Sequence, residues 1–100
     1  MSIQTDSLQA IGDPTRRAIL KLLRGGSMTA GDVAAKFELS KPTLSHHFKT
    51  LEAAGLVRSQ RNGNHIVYTL QANVIEDMAA DLLELVADFK KATHRKKERS

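Results

Sequence analysis

Two short amphipathic segments follow each other almost without a break in the stretch "MTAGDVAAKFELSKPTLSHHFKTLEAAG". Thr29 and Ser40 carry side chains that cap helix N-termini well, and each stands directly before one of the segments. Only Glu38 and Leu39 separate the first predicted helix from the second cap. The second helix is predicted from about residue 41 to residue 54. Two helices joined by so tight a turn form a helix-turn-helix.

Two further helices are predicted before this pair. Apolar residues recur at loose helical spacing over residues 3–11, which favours a short first helix. Asp13 is a good N-cap for the second helix, and Pro14 stands at the first helical position, where its missing N–H costs nothing. Gly25 and Gly26 end that helix.

The stretch "LVRSQRNGNHIVYTL" changes from helical spacing to strand alternation. Between its two halves stand Asn62 and Gly63, a pair typical of a type I′ turn, which needs positive φ at both central residues. The sequence therefore predicts a β-hairpin. Because an isolated hairpin is only marginally stable, it must pack against the helices.

A long final helix is predicted over residues 73–90, in the stretch "NVIEDMAADLLELVADFKKA". Its apolar stripe is too broad for so small a body to cover alone, which favours pairing with a second copy. Residues 91–100 are basic and lack an apolar pattern, so they are predicted to form a disordered tail. The element order is α-α-α-α-β-β-α: a mostly α chain with a small β-hairpin.

Size and composition limit what this chain can do. One hundred residues form one small domain. The absence of cysteine removes disulfides, thiolate metal sites and cysteine nucleophiles. No apolar run is long enough to span a bilayer, and the N-terminus lacks the pattern of a signal peptide, so we expect a cytoplasmic protein.

Charge is distributed in blocks along the chain. Residues 14–61 hold nine lysines and arginines against three acids, whereas residues 73–89 hold five acids and no base. Residues 90–100 hold six bases and one acid. A basic middle block suits an anionic polymer such as DNA, although charge alone does not exclude a merely solvated surface.

The stretches "AIGDPTRRAILKLLRGG", "MTAGDVAAKFELSKPTLSHHFKTLEAAGLV" and "RNGNHIVYTL" together resemble the ArsR/SmtB family of bacterial transcriptional repressors. The resemblance covers roughly residues 8–72 in the right order and spacing. Within the family, the cysteine-free version "DPTRR…SKPTLSHHFKTL" is most similar to the SdpR-like autorepressor group.

The resemblance implies a winged helix-turn-helix domain over residues 1–90 that forms a homodimer through its first and last helices, at about residues 3–11 and 73–90. Each subunit would then offer a recognition helix to double-stranded DNA. The expected dimer interface consists of Leu8, Ile11, Ile75, Met78, Leu82, Leu85, Val86 and Phe89.

Adjacent histidines, His46 and His47, stand within the predicted recognition helix. Neighbouring residues on a helix do not face each other, so the two rings cannot chelate one ion together. Helical projection places His47 at the edge of the buried face, where we expect it to pack and hydrogen-bond within its own domain. His46 falls on the opposite, exposed face, where it can donate to a phosphate or a base edge.

In the family, the position of His46 contacts DNA, together with the positions that are held here by Lys41, Pro42, Thr43 and Ser45. Pro42 replaces a small polar residue, and the sequence leaves open whether it touches a thymine methyl group or only starts the helix. Other expected DNA contacts are Lys49 and Thr29, with a solvated lysine and a simple helix cap as the alternatives.

The hairpin offers Arg58, Arg61 and Asn64 as wing contacts, and Arg61 is the strongest candidate because an arginine near a hairpin tip can enter the minor groove or hold a phosphate. Asn64 stands where the family commonly has arginine, which suggests a weaker or shifted wing contact. Arg16, in the first turn of the second helix, is expected to form an internal salt bridge.

No metal site or cofactor is predicted. The final helix offers five acids but no histidine before His94, and zinc or nickel sites usually need imidazole. An organic inducer remains an open alternative. A winged-helix module that binds protein is the second functional class, which the polar and basic recognition face disfavours. No nucleophile–base pair or phosphate loop points to an enzyme.

Overall fold

The computed structural model describes residues 5–99, with side-chain surroundings for residues 5–88 and for Lys90. The elements in chain order are α1 (Thr5–Ile11), α2 (Pro14–Leu23), β1 (Met28–Thr29), α3 (Ala30–Phe37), α4 (Lys41–Ala53), β2 (Val57–Asn62), β3 (His65–Leu70) and α5 (Ala72–Arg99). This order confirms the prediction of a mostly helical winged helix-turn-helix chain. The predicted helix start at residues 3–4 lies outside the described residues.

The hairpin is part of a three-stranded antiparallel sheet with the order β1-β3-β2. The extra strand, β1, pairs Met28 with Tyr68 and Thr29 with Val67. A strand of two residues is too short to show alternation, which explains why the sequence pattern missed it. Its pairing joins the start of α3 directly to the wing.

The hairpin turn lies one residue further along than predicted. Asn62 pairs with His65 as the last rung of the ladder, so the central turn residues are Gly63 and Asn64. Gly63 has φ of 64°, and Glu38 is the only non-glycine residue with positive φ among the described residues. The type I′ prediction is therefore wrong, since glycine at the first central position alone is the pattern of a type II′ turn.

The core combines buried side chains from all five helices and from the sheet. Phe48 of α4 and Tyr68 of β3 stack with ring centroids 3.6 Å apart and an interplanar angle of 6°. This stack joins the recognition helix to the central strand of the sheet. The largest side chains that are fully buried around it are Ile19, Leu23, Val33, Leu51 and Leu56.

Helix α5 continues to Arg99, beyond the predicted end near residue 90. The structure therefore corrects the predicted helix end, because α5 continues into the basic residues that were expected to form a tail from residue 91. The physical reason is that lysine, arginine, glutamate and alanine favour helix, and no glycine or proline follows residue 72 to interrupt it.

Asp13 is the N-cap of α2, as predicted, and its carboxylate accepts a hydrogen bond from the Arg16 N–H at 3.0 Å. This hydrogen bond and the nearby guanidinium of Arg16 lower the pKa of Asp13 below its ordinary value. A carboxyl group with a lowered folded-state pKa stabilises the fold above its unfolded-state pKa. That contribution disappears as the pH falls through the folded-state pKa.

We therefore expect Asp13→Ser, which keeps a capping oxygen without a titrating group, to reduce the loss of stability on acidification below about pH 4. Urea unfolding at a series of pH values from neutral to acid would measure this. Asp88→Ser, a change at an exposed position of α5, serves as the control. An acid dependence that Asp13→Ser leaves as steep as in the wild type would contradict the assignment.

Candidate DNA-binding interface

The recognition helix α4 begins with a polar cap that the sequence predicts. The Ser40 hydroxyl oxygen accepts a hydrogen bond from the Thr43 N–H at 3.4 Å, and its own O–H donates to Thr43 Oγ1 at 2.8 Å. Lys41 and Pro42 occupy the first two helical positions, so the proline interrupts no helical hydrogen bond. The cap fixes where the first turn of α4 begins.

One side of α4 is buried and the other is entirely exposed. Leu44, Phe48 and Leu51 form the buried side and pack into the core. Burial of these apolar side chains holds the helix in one rotational setting, so its other side must face outward. All six predicted DNA-contact residues of α4 are exposed there, namely Lys41, Pro42, Thr43, Ser45, His46 and Lys49.

His47 lies at the boundary between these two sides and is half-buried. The Arg16 Nη1 atom lies 3.4 Å from His47 Nδ1. Because a guanidinium has no acceptor, Arg16 must donate and the histidine Nδ1 must accept, which places the ring hydrogen on Nε2. This contact agrees with the prediction that His47 hydrogen-bonds within its own domain.

The prediction of a salt bridge for Arg16 is wrong, because its guanidinium binds backbone carbonyls instead. Arg16 Nε donates to the Ala10 carbonyl at 2.7 Å, and Nη2 donates to the Gln9 carbonyl at 3.0 Å. Arg17 Nη1 similarly donates to the Ile11 carbonyl at 2.7 Å. These carbonyls end α1, where the helix dipole is negative, so two cations compensate it.

The wing presents its predicted contact residues to the outside. Arg58, Arg61 and Asn64 are all exposed, and Asn64 lies in the hairpin turn. The Ser59 hydroxyl donates to Glu52 Oε2 at 3.2 Å, which ties β2 to the last turns of α4. This contact was not predicted, because no periodic pattern relates a hydroxyl to a carboxylate across an intervening turn.

Thr29 is half-buried and serves as the N-cap of α3, where its hydroxyl oxygen accepts from the Asp32 N–H at 3.1 Å. The structure thus gives Thr29 the capping role that the sequence predicts. Its phosphate contact stays a prediction.

The exposed charges of α4 and the wing are mostly positive. Lys41 and Lys49 extend from α4, and Arg58 and Arg61 extend from β2. Glu52 is the acid of these two elements, and its carboxylate accepts from Ser59. The arrangement combines cations that can bind phosphates with hydroxyl and imidazole groups that can reach base edges.

A second surface lies along α5 and is apolar. A groove of about 560 Å³ is bounded by α2, the end of β3 and the first half of α5. Lys21 and Arg24 lie at this groove on the α2 side. Its apolar lining includes Ile11, Leu20, Leu70, Ile75, Met78 and Leu82.

The predicted dimer residues differ in their burial. Leu85 and Val86 are 44% and 47% exposed, and Leu8 and Leu82 are also exposed. Ile11 and Ile75 are half-buried. Met78 is only 7% exposed because it packs in the core of its own subunit, at the base of the groove, and its contact with a second copy stays a prediction. The side chain of Phe89 lies outside the described residues.

Residues 5–99 contain no helix that is long and apolar enough to cross a membrane. Among the same part of the chain, no three histidine or carboxylate side chains lie close enough together to hold a metal ion.

A family model and a sequence relative both match this chain to bacterial transcription regulators. A family model described as bacterial regulatory protein, arsR family, matches residues 13–59. The transcriptional repressor SdpR of Bacillus subtilis is 46% identical over 78 residues, which cover 78% of this chain and 87% of that protein. The match includes the helix-turn-helix that carries the exposed contact residues.

Solved structures show the same architecture. An ArsR-like transcriptional regulator from Rhodococcus superposes with a TM-score of 0.85 at 25% identity, over 95% of this chain and 90% of that chain. A homodimeric winged helix-turn-helix DNA-binding domain from Mycobacterium bovis superposes with a TM-score of 0.68 at 27% identity, over 83% and 76% of the two chains.

Proposed function

The chain belongs to the arsR family of bacterial regulatory proteins, and from this membership we propose that it represses transcription as a homodimer bound to a palindromic operator in double-stranded DNA. The observation that carries the proposal is the exposed side of α4. Six polar, basic or small residues lie together on a helix whose opposite side is anchored in the core.

The width of α4 suits the major groove, which admits one helix. In helix-turn-helix proteins, the N-terminal residues of the recognition helix contact base edges. Ser45 and His46 extend from the exposed side of α4 and serve as base readers, with Thr43 beside them. Pro42 adds an apolar surface that fits a thymine methyl group, or only starts the helix.

The cations around this helix supply affinity for DNA of any base sequence. Lys41 and Lys49 contact phosphates beside the major groove. Arg61 and Arg58 of the wing contact phosphates or the minor groove, with Asn64 at the tip. Thr29 adds a contact from the N-terminus of α3, where backbone N–H groups favour an anion. Each neutralised phosphate releases counterions, so binding weakens as salt rises.

The homodimer forms through the apolar surface of α1 and α5. Leu82, Leu85 and Val86 recur on one side of α5 and are exposed in the single chain. A second copy covers them and the adjacent groove, which removes apolar area from water. The acidic residues of α5 also complement Lys21 and Arg24 at the groove.

A dimer with two-fold symmetry presents two α4 helices, so the operator has two inverted half-sites about 10 base pairs apart, or a multiple of that distance. Occupation of such a site in a promoter excludes polymerase sterically. We propose that the promoter is the protein's own, that repression in the cytoplasm needs no metal, and that no cofactor takes part.

The direct test is fluorescence anisotropy with duplex DNA from immediately upstream of the gene, in chelator and near-physiological salt. Preferential binding over a shuffled duplex supports autorepression without metal. If both duplexes bind equally and weakly, a duplex selected from random sequences replaces the upstream DNA. Failure to select any preferred sequence would contradict the proposed function.

The contact roles predict two different kinds of variant. Ser45→Ala and His46→Ala should each lose about 1–3 kcal/mol of discrimination between the selected and shuffled duplexes, the value of a good base contact. Lys49→Ala and Arg61→Ala should weaken binding to both duplexes and reduce the salt slope by about 1. Anisotropy titrations at four salt concentrations measure both quantities.

Lys90→Ala is the control for these titrations, since Lys90 is an exposed lysine of α5 that is not among the proposed contact residues. It should change neither discrimination nor the salt slope measurably. Operator binding by Ser45→Ala and His46→Ala at the wild-type level would contradict the placement of α4 in the major groove.

A further inference from the structure

We propose that Arg16 positions the recognition helix. Its guanidinium contacts α1 and α4 at once. It therefore holds α4 at a set orientation to α1, one of the two helices of the proposed dimer interface. In the dimer, this link determines how the two recognition helices are spaced on the operator. The inference rests on the proposed function and adds a positioning residue that touches no DNA.

The guanidinium of Arg16 has a geometry that fixes the directions of its contacts. A guanidinium is planar, and its N–H groups point in fixed directions. Arg16 directs Nε and Nη2 to the Ala10 and Gln9 carbonyls at 2.7 Å and 3.0 Å, while Nη1 reaches His47 Nδ1 at 3.4 Å. With Nε and Nη2 bonded to α1, the hydrogen bond from Nη1 determines where His47 lies relative to that helix.

The arginine itself is held in place. The Arg16 backbone N–H donates to the carboxylate of the N-cap Asp13 at 3.0 Å, which anchors the first turn of α2. The guanidinium therefore extends from a capped helix start. Arg16 thus connects three helices, α1, α2 and α4, through its hydrogen bonds.

His47 lies on α4 next to the residues that are proposed to read bases. His47 directly follows His46 and stands two residues after Ser45, both of which are proposed base readers. A rotation or shift of α4 that moves His47 moves these two side chains by a similar amount. Recognition requires contact geometry to be held within about 0.5 Å. Loss of the hydrogen bond between Arg16 and His47 therefore affects base contacts before it affects phosphate contacts.

Arg17 offers an internal comparison, because it also binds a carbonyl at the end of α1. Its Nη1 donates to the Ile11 carbonyl at 2.7 Å, at the same end of α1, and among the described residues Arg17 makes no hydrogen bond to α4. A comparison of the two arginines can thus separate the effect on DNA binding of capping α1 from the effect of the link to α4.

The experiment compares Arg16→Met with Arg17→Met on a duplex selected from random sequences by the wild-type protein, and on a shuffled duplex. Both variants lose one charge; Arg16→Met loses two hydrogen bonds to α1, and Arg17→Met loses one. Arg16→Met should weaken binding to the selected duplex by about tenfold to a hundredfold more than Arg17→Met does, the range expected for a lost hydrogen bond to a charged group. Binding to the shuffled duplex should be equal for both.

Two controls separate positioning from folding and from assembly. Circular dichroism melting sets a temperature at which every variant is folded, and sedimentation confirms that each is as dimeric as the wild type at the concentrations used. Duplexes whose half-site separation is changed by one base pair give the specific readout. The wild type should discriminate strongly among them, and Arg16→Met should discriminate less.

A double-mutant cycle with His47→Leu tests the pair itself. The combined variant Arg16→Met with His47→Leu should bind the selected duplex no more weakly than the worse single variant, since both remove one link. His47→Gln, whose amide oxygen can accept from Arg16, should restore part of the loss.

Equal losses for Arg16→Met and Arg17→Met, or fully additive losses in the cycle, would overturn the positioning role. Failure of the wild type to prefer any selected duplex would instead contradict the proposed function itself, so the two failures are distinguishable.

Discussion

Phe48→Ala is expected to lower the free energy of unfolding by about 3–5 kcal/mol, the usual cost of truncating a buried aromatic side chain. Phe48 is 1% exposed and stacks face to face on Tyr68 at 3.6 Å. Its removal leaves a cavity between α4 and the central strand of the sheet. Because small domains have only about 5–15 kcal/mol of stability in total, this loss is a large fraction of the total.

Urea unfolding followed by circular dichroism measures the change for Phe48→Ala. Ile66→Ala is the matched control, since Ile66 lies on the neighbouring part of β3 but is 45% exposed. We expect that control to lose well under half as much. A loss below about 1 kcal/mol for Phe48→Ala would show that the stack does not join the recognition helix to the wing as described.

Leu85→Glu is expected to convert the proposed dimer to monomer and to weaken operator binding by about 10²- to 10⁴-fold. Leu85 is 44% exposed in the single chain and lies on the apolar side of α5. A buried, unpaired carboxylate at the dimer interface is costly. A monomer then binds one half-site and loses the gain in affinity that comes from joining two binding modules.

Sedimentation velocity measures the assembly of Leu85→Glu, and anisotropy measures its operator affinity. Ala87→Glu is the matched control, because Ala87 is exposed on α5 but points away from the stripe that Leu82 and Val86 define. It should remain a dimer with wild-type affinity. A Leu85→Glu protein that still forms a tight dimer would contradict the proposed interface.

The proposed function assigns two physical tasks to different helices, and we propose that Arg16 couples them. Apolar burial on α5 is proposed to hold two subunits together, whereas polar groups on α4 are proposed to read the DNA. Arg16 spans from the end of α1 to His47. Variants of Leu85 therefore test assembly, variants of His46 test reading, and variants of Arg16 test the coupling between them.

Several features of the fold follow from residues close in sequence, and these were predicted. Asp13, Thr29 and Ser40 each cap the helix that starts directly after them, as the structure confirms. A cap acts through a backbone N–H three residues away, so its whole interaction lies within one short stretch of sequence. The helical spacing of Leu44, Phe48 and Leu51 likewise identified the buried side of α4.

Features that depend on the relative placement of distant elements were not predicted. The partners of Arg16 lie on α1 and α4, and the partner of Ser59 lies on α4. Neither periodicity nor a residue's type specifies which backbone carbonyl or side chain a later helix brings near it. The turn prediction failed for a related reason, because pairing along the whole hairpin decides which residues become central.

The sequence by itself determined the order of the five helices and the two hairpin strands, the caps and the exposed side of the recognition helix, because propensity, capping and apolar spacing act over a few residues. Only the tertiary structure decided that Met78 packs in the core, that Arg16 bridges α1 to His47, and that β1 joins the sheet. These depend on contacts between segments far apart in the chain, which form only once the core has brought the elements together.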